Sequence, residues 1–356
     1  MRNVNRIAGM LTTDLDKWTR RIVGRHFDPE HGSPFWLRRR AELPFEPRDI
    51  TRYSELELFG RFPLDALRTC DPGDLVPVAV PRPLAGLVWE SGGTTGPPKR
   101  IFYTRDMIRE REIWRRWADR ELAGFADGAR WLNAMPTGPH IAGSVAGSQA
   151  EAGTALVYGI DMDPRWVKRA LRTGRPELAD EYVGHLVEQI SEVLGSQDIG
   201  YLATTPALLQ VLCRQAPALL TGIRGARLSG TQITTPMYRE FRRTLGPEFM
   251  ILRRYGNSIA DPGVGVGSEQ DDEILPYLIA YPYSTMQVVD PADWRQVLGY
   301  GQAGQVRLTV LRDDLFLPNV LERDQAVRWK DDDWPTDVVA NVCPLPMGPA
   351  AVEGIY

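Results

Sequence analysis

An apolar stretch, Leu84 to Trp89, runs straight into Ser91-Gly92-Gly93-Thr94-Thr95-Gly96-Pro97-Pro98-Lys99, and few folds have a use for that combination. The small residues let backbone N–H groups and the hydroxyls of Ser91, Thr94 and Thr95 close around phosphate oxygens, while Lys99 adds a mobile positive charge. The expected ligand is a nucleoside triphosphate. A Walker loop is excluded, because the Gly-Lys-Ser/Thr ending is missing and Pro97-Pro98 denies the free N–H donors of a helix starting there. The same residues would also suit an ordinary polar loop.

Composition excludes several function classes. The chain has 356 residues, 43% hydrophobic, enough for one large or two moderate cores. Its net charge of −4 gives no basic field for nucleic acid, and no apolar run is long enough to cross a bilayer. Met1 to Arg6 is not followed by an apolar signal core. Cys70, Cys213 and Cys343 are far apart and without metal-like spacing, so structural thiols in a reducing cytoplasm are expected. Arginine dominates the basic residues; Lys17, Lys99, Lys168 and Lys330 are the lysines. In such a chain a lysine placed in the glycine loop suggests a specific task.

Along the chain, residues 1–80 mix short helical patterns with proline breaks. Ile101 to Thr104 reads as a strand entering a helix capped by Thr104, with Asp106 in its first turn and Met107, Ile108, Ile113, Trp114, Trp117 and Leu122 on one apolar face. Asp163-Pro164, Thr205-Pro206 and Thr235-Pro236 each place an N-cap before a proline at the first helical position. These helices follow short apolar strands, the βα rhythm of a doubly wound sheet. From Leu275 onward strands dominate, among them Met286 to Val289 and Gln305 to Leu311.

The glycine loop resembles the phosphate loop of the adenylate-forming superfamily, whose members join a carboxylate to AMP. Gly32 to Trp36, Leu43-Pro44-Phe45, Arg48-Asp49-Ile50 and Leu56 to Arg68 look like the amino-terminal region of its phenylacetate-CoA ligase branch. The resemblance implies an α/β large domain with doubly wound mixed sheets flanked by helices, plus a smaller β-rich subdomain. The expected divisions are residues 1–80, an α/β core at 81–260, the β-rich part at 261–329 and a tail at 330–356. The tail is too short and proline-broken to replace the family's mobile carboxyl-terminal domain, so the chain is expected either to be a large-domain fragment or to work without that domain, with an acceptor protein or a separate partner of that type as candidates.

Further motifs follow in family order. Tyr255-Gly256-Asn257-Ser258 resembles the aromatic-Gly-x-Thr/Ser-Glu motif, which implies Tyr255 on adenine and Ser258 on phosphate; Ile259 stands where the family's Mg²⁺-binding Glu would be. An aliphatic side chain cannot bind a hard cation, so Asp261 is the nearest candidate metal ligand. Ser229-Gly230-Thr231 loosely matches the other wall of the adenine slot, and Asp324, after Glu322-Arg323, takes the family's ribose-binding role. His140 falls where relatives line the acyl pocket, with Lys99 and Thr94 as the further catalytic candidates.

The resemblance therefore implies ATP-dependent, AMP-forming activation of a small carboxylic acid, of aryl type, with ATP/AMP and Mg²⁺, and with CoA as a candidate acceptor. Little proton transfer is required, so positioning and positive charge around the phosphates carry the catalysis. Two alternatives stay open. One is a degenerate nucleotide-binding protein, favoured by Ile259, by Gln305 in place of the usual Gly-Glu strand start, and by Glu322. The other is an adenylating enzyme with an amine or protein-bound acceptor.

Overall fold

The computed structural model describes residues 2–91, 96–151, 155–256, 258–261, 263–267 and 273–346. Three helices, α1 (Arg2–Leu11), α2 (Leu15–His26) and α3 (Pro34–Arg40), and the single turn α4 (Ala66–Thr69) build the amino-terminal region. A hairpin of β1 (Gly86–Glu90) and β2 (Arg100–Thr104) carries the glycine loop at its tip. Helix α5 (Arg105–Trp117) leaves β2 directly, capped by the Thr104 hydroxyl, which accepts from the Met107 N–H at 3.2 Å.

An 11-stranded sheet organises the rest. Its parallel half comprises β3 (Arg130–Ala134), β4 (Leu156–Gly159), β5 (Tyr201–Thr204), β6 (Gly225–Leu228) and β7 (Met250–Tyr255), in the order β4-β3-β5-β6-β7. Helices α6 (Ile141–Glu151), α7 (Pro164–Arg172), α8 (Pro176–Ser196), α9 (Pro206–Gln215) and α10 (Thr235–Leu245) lie in the connections. The sheet turns antiparallel beyond β7. There β8 (Gly263–Gly265), β9 (Pro276–Leu278), β10 (Ser284–Val289), β11 (Ala303–Arg312), β12 (Leu315–Trp329) and β13 (Val338–Pro344) add in the order β8-β9-β13-β12-β11-β10. The β-rich part is thus continuous with the parallel half through the β7–β8 pair.

The two-residue period of a strand sorts the core into two faces. Leu132, Leu202, Ala226 and Leu228 share one cluster with Leu186 and Ile190 of α8, Leu208 and Leu212 of α9, and Phe241 of α10. Trp131, Tyr201, Ala203 and Leu252 point the other way and join Trp114 of α5 together with Ala118 and Phe125 beyond it. Helices on both faces make the sheet doubly wound, as the βα rhythm predicts.

Caps follow the sequence with one shift. Asp163 and Thr205 cap α7 and α9 as expected, each ahead of a proline. Helix α10 instead takes Thr234 as its cap, the hydroxyl accepting from the Met237 N–H at 3.2 Å, and Pro236 falls at its second position. Two adjacent threonines make the frame ambiguous on paper; only Thr234 has the extended backbone a cap needs. Leu122, expected on the apolar face of α5, lies past that helix in a π-helical turn and is exposed.

The amino-terminal region closes over the antiparallel half. Trp18 Nε1 donates to the Leu311 carbonyl at 2.8 Å, and Trp36 Nε1 to that of Phe316 at 3.0 Å. Asn319, in a left-handed conformation at φ 50°, donates its amide to the Leu56 and Gly60 carbonyls. These ties fix β11 and β12, and with them the stretch of β12 that carries Asp324.

Candidate nucleotide and acyl site

A cavity of about 260 Å³ opens at the carboxyl ends of β3, β5, β6 and β7, where a doubly wound sheet places its ligands. One wall is the hairpin. The Ser91 N–H donates to the Lys99 carbonyl at 3.0 Å and the Ser91 hydroxyl accepts from the Lys99 N–H at 2.9 Å, so the loop is pinched shut at its base. Glu90 anchors it further, its N–H donating to Pro139 and its carboxylate pairing with Arg100 and Arg165. Gly96, at φ 132°, packs beside the Arg68 guanidinium, which donates to the Pro97 carbonyl. Gly92, Gly93, Thr94 and Thr95 lie outside the described residues, as does Asn257.

Lys99 is half-buried on the cavity wall, facing the segment Glu322-Arg323-Asp324 across the gap. Burial lowers its pKa, opposed by the nearby charge of Glu322. Asp324 accepts a hydrogen bond from the Tyr255 hydroxyl at 2.9 Å. Burial first, then the charge of Asp324, pushes the Tyr255 phenol well above its ordinary value and keeps it a donor. Gly256, Ser229 and Gly230 also line the cavity. Ser258 is 5% exposed, and its hydroxyl has no hydrogen-bond partner among the described residues. A buried hydroxyl left unpaired costs about 1–3 kcal/mol.

Three expected residues sit elsewhere. Thr231 does not line the cavity; its hydroxyl accepts a long bond, 3.4 Å, from the Ala207 N–H at the start of α9. Tyr255 stands behind the wall, tilted against Tyr277 at 5.9 Å between ring centroids. Asp261, 1% exposed, is clamped between Arg312 and Arg111 rather than open to a cation. Ile259 is 0% exposed and belongs to the core, so the position that would carry a metal-binding acid is apolar and turned inward. Among the described residues no group of three His, Cys, Asp or Glu side chains could hold a metal ion. These residues do not fit a protein-held Mg²⁺.

His140 lines the cavity ahead of α6, and burial lowers its pKa, with Arg165 and Lys168 adding to the effect. Other lining residues carry no motif signal. Arg111, Lys168, Arg227 and Arg254 reach the wall together with Arg68, Lys99 and Arg323, against the acids Glu90, Glu322 and Asp324. Asn133, Ala203 and Arg227 occupy one register row across β3, β5 and β6, and Arg254 follows two residues beyond Leu252, the partner of Arg227. Buried parallel strands normally read as continuous apolar runs. Arginines inside β6 and β7 break that rule, and the break was the available signal for them.

No protein-family model matches the chain, and no curated protein matches it by sequence. Solved structures do. A 2-hydroxyisobutyryl-CoA ligase in an open conformation, in complex with 2-HIB-AMP and CoA, matches with a TM-score of 0.65 at 17% identity, over 91% of this chain and 71% of the ligase. The chain shares its fold with this CoA ligase. The same CoA ligase in its thioesterification state gives a TM-score of 0.64 at 17% identity, over 96% of this chain and 67% of the ligase. In its postadenylation state, in complex with 2-HIB-AMP, it gives 0.63 at 18% identity, over 93% and 66%. The chain spans about two thirds of the length of these CoA ligases. Within this fold, the cavity occupies the strand ends of the parallel half, with the glycine-loop hairpin and the Asp324 segment of β12 as its rims.

Proposed function

We propose that this chain binds ATP in the cavity and transfers its adenylyl group to a small carboxylic acid. The observation that carries the reading is the convergence of Ser91 and Lys99 with the sequence-distant Ser258 and Asp324 on one cavity, the Ser258 hydroxyl having no partner among the described residues. Asp324, oriented by Tyr255, has a carboxylate suited to two ribose hydroxyls. Lys99 places an ammonium beside the phosphates. A carboxylate oxygen of the acid attacks the α-phosphorus, the new P–O bond forms as the bond to pyrophosphate breaks, and acyl-AMP remains. No proton needs to move in that step, so the work is positioning and charge neutralisation. Small aliphatic residues, Met135, Ile141, Ala142, Val145 and Ala203, surround the acyl end. CoA, an amine or a protein-bound nucleophile is the acceptor to be distinguished by product analysis.

The experiment is ATP–pyrophosphate exchange across a panel of aliphatic and aryl acids, with ATP binding followed in parallel by calorimetry. Acid-dependent exchange supports the reading. The buried Ile259 and the clamped Asp261 favour a second reading, a nucleotide-binding protein without turnover; ATP binding with silence across the panel selects it. Failure to bind ATP removes both.

A further inference from the structure

Three cations line the cavity from three separate elements: Lys99 from the glycine-loop hairpin, Lys168 from α7 and Arg323 from β12. Arg323 is exposed, the two lysines are half-buried, and the charge of Arg323 bears on both of them. Lysine is rare in this chain. Of its four, Lys17 and Lys330 are exposed and away from the cavity, whereas the two half-buried ones both line it.

Helix geometry places Lys168. Val167 and Ala170 of α7 bury against Ala179 of α8, which leaves Arg165, Lys168 and Arg172, spaced three and four residues apart, along a neighbouring flank. Arg165 pairs with Glu90 at the base of the hairpin and draws that flank to the cavity, while Arg172 donates to the Lys168 carbonyl at 3.2 Å. Burial first, then the charges of Arg323, Arg172 and Arg165, lowers the Lys168 pKa. At Lys99 the acids Glu322 and Asp324 work against the same burial. Like charges gathered where water is partly excluded repel one another in the free protein and attract a polyanion. The described residues do not fit a protein-held Mg²⁺, so the protein's own share of phosphate neutralisation lies with these cations.

Resting on the adenylation reading, we infer that Lys168 and Arg323, together with Lys99, bind the β- and γ-phosphates of ATP and hold the same groups as they leave as pyrophosphate. An ammonium is a compact charge that takes any phosphate oxygen, and a guanidinium fork takes two. The two terminal phosphates carry most of the charge of the triphosphate, which suits three cations; AMP lacks them.

The test is calorimetric titration of ATP and of AMP, at constant ionic strength and fixed Mg²⁺, into the wild type, Lys168→Gln, Lys168→Arg, Arg323→Gln and Lys17→Gln. The last makes the same charge change away from the cavity. Lys168→Gln and Arg323→Gln are each expected to weaken ATP by about tenfold, the loss of one charge-assisted contact, and AMP by less than about twofold. Lys168→Arg keeps the charge and should stay within about threefold of the wild type. A purely structural role would weaken ATP and AMP alike, and AMP binding shows that a variant is folded. Equal losses for the two nucleotides, no loss in either glutamine variant at the cavity, a Lys168→Arg protein as weak as Lys168→Gln, or the same loss in Lys17→Gln each overturn the inference. A wild type that binds neither ATP nor AMP overturns the adenylation reading itself.

Discussion

Ser258 and His26 show how single buried polar groups report on the account. The Ser258 hydroxyl has no partner among the described residues, so Ser258→Ala is expected to stabilise the ligand-free chain by about 1 kcal/mol in urea unfolding and to weaken ATP binding several-fold; a stability loss with unchanged ATP affinity contradicts a ligand role. His26 is wholly buried between the Ser33 hydroxyl at 2.6 Å and the Arg312 carbonyl at 3.0 Å, and burial pulls its pKa down to about 3. The unfolded chain protonates this imidazole near pH 6.5, whereas the folded chain does not. Between about pH 6.5 and 3 the unfolded state therefore binds more protons, and stability falls as pH falls. By pH 5 the cost is about 2 kcal/mol, and His26→Gln should flatten the slope of stability against pH in that window. Lys99→Ala should leave the melting temperature within a few degrees and reduce exchange at least tenfold, since its ammonium serves the phosphates rather than a core partner. Asp324→Asn keeps an acceptor for the Tyr255 hydroxyl, so it isolates ribose binding from packing better than alanine does.

The joint between β2 and α5 is where an element most directly sets the site. Thr104 caps α5 and donates to the Asp314 carboxylate at 2.7 Å, tying the glycine-loop hairpin to the antiparallel half. Thr104→Ala should cost about 1–2 kcal/mol and Thr104→Ser should restore most of it; full stability in the alanine variant would show that the cap does not hold the hairpin. Elements of this kind were legible. Cap and proline pairs marked α7 and α9, alternating apolar residues marked the strands, and the glycine loop appeared at the end of its apolar strand. The cap of α10 was off by one because Thr234 and Thr235 are chemically equal choices. Arg227 and Arg254 escaped because a strand pattern says which face a residue takes, but not that both faces near a strand's carboxyl end border a cavity. Asp261 was misread for a related reason: Arg111 and Arg312, its partners, lie 150 and 51 residues away.

At the scale of the whole molecule, the 11-stranded sheet supplies two sides of the cavity, one from the carboxyl ends of its parallel strands and one from β12, and the separate β1–β2 hairpin supplies another. The amino-terminal helices bind β11 and β12 through Trp18, Trp36 and Asn319, so the chain should unfold in a single calorimetric transition, and two resolved transitions would separate the β-rich part. Motif order anticipated this convergence, although the unbroken sheet could not be read from strands whose pairing is long-range. The most direct measurement is a calorimetric titration of ATP into the wild type and Asp324→Asn. One ATP per chain, with affinity reduced tenfold or more in the variant, is the predicted result; no binding, or equal binding by both proteins, contradicts the assignment of the cavity.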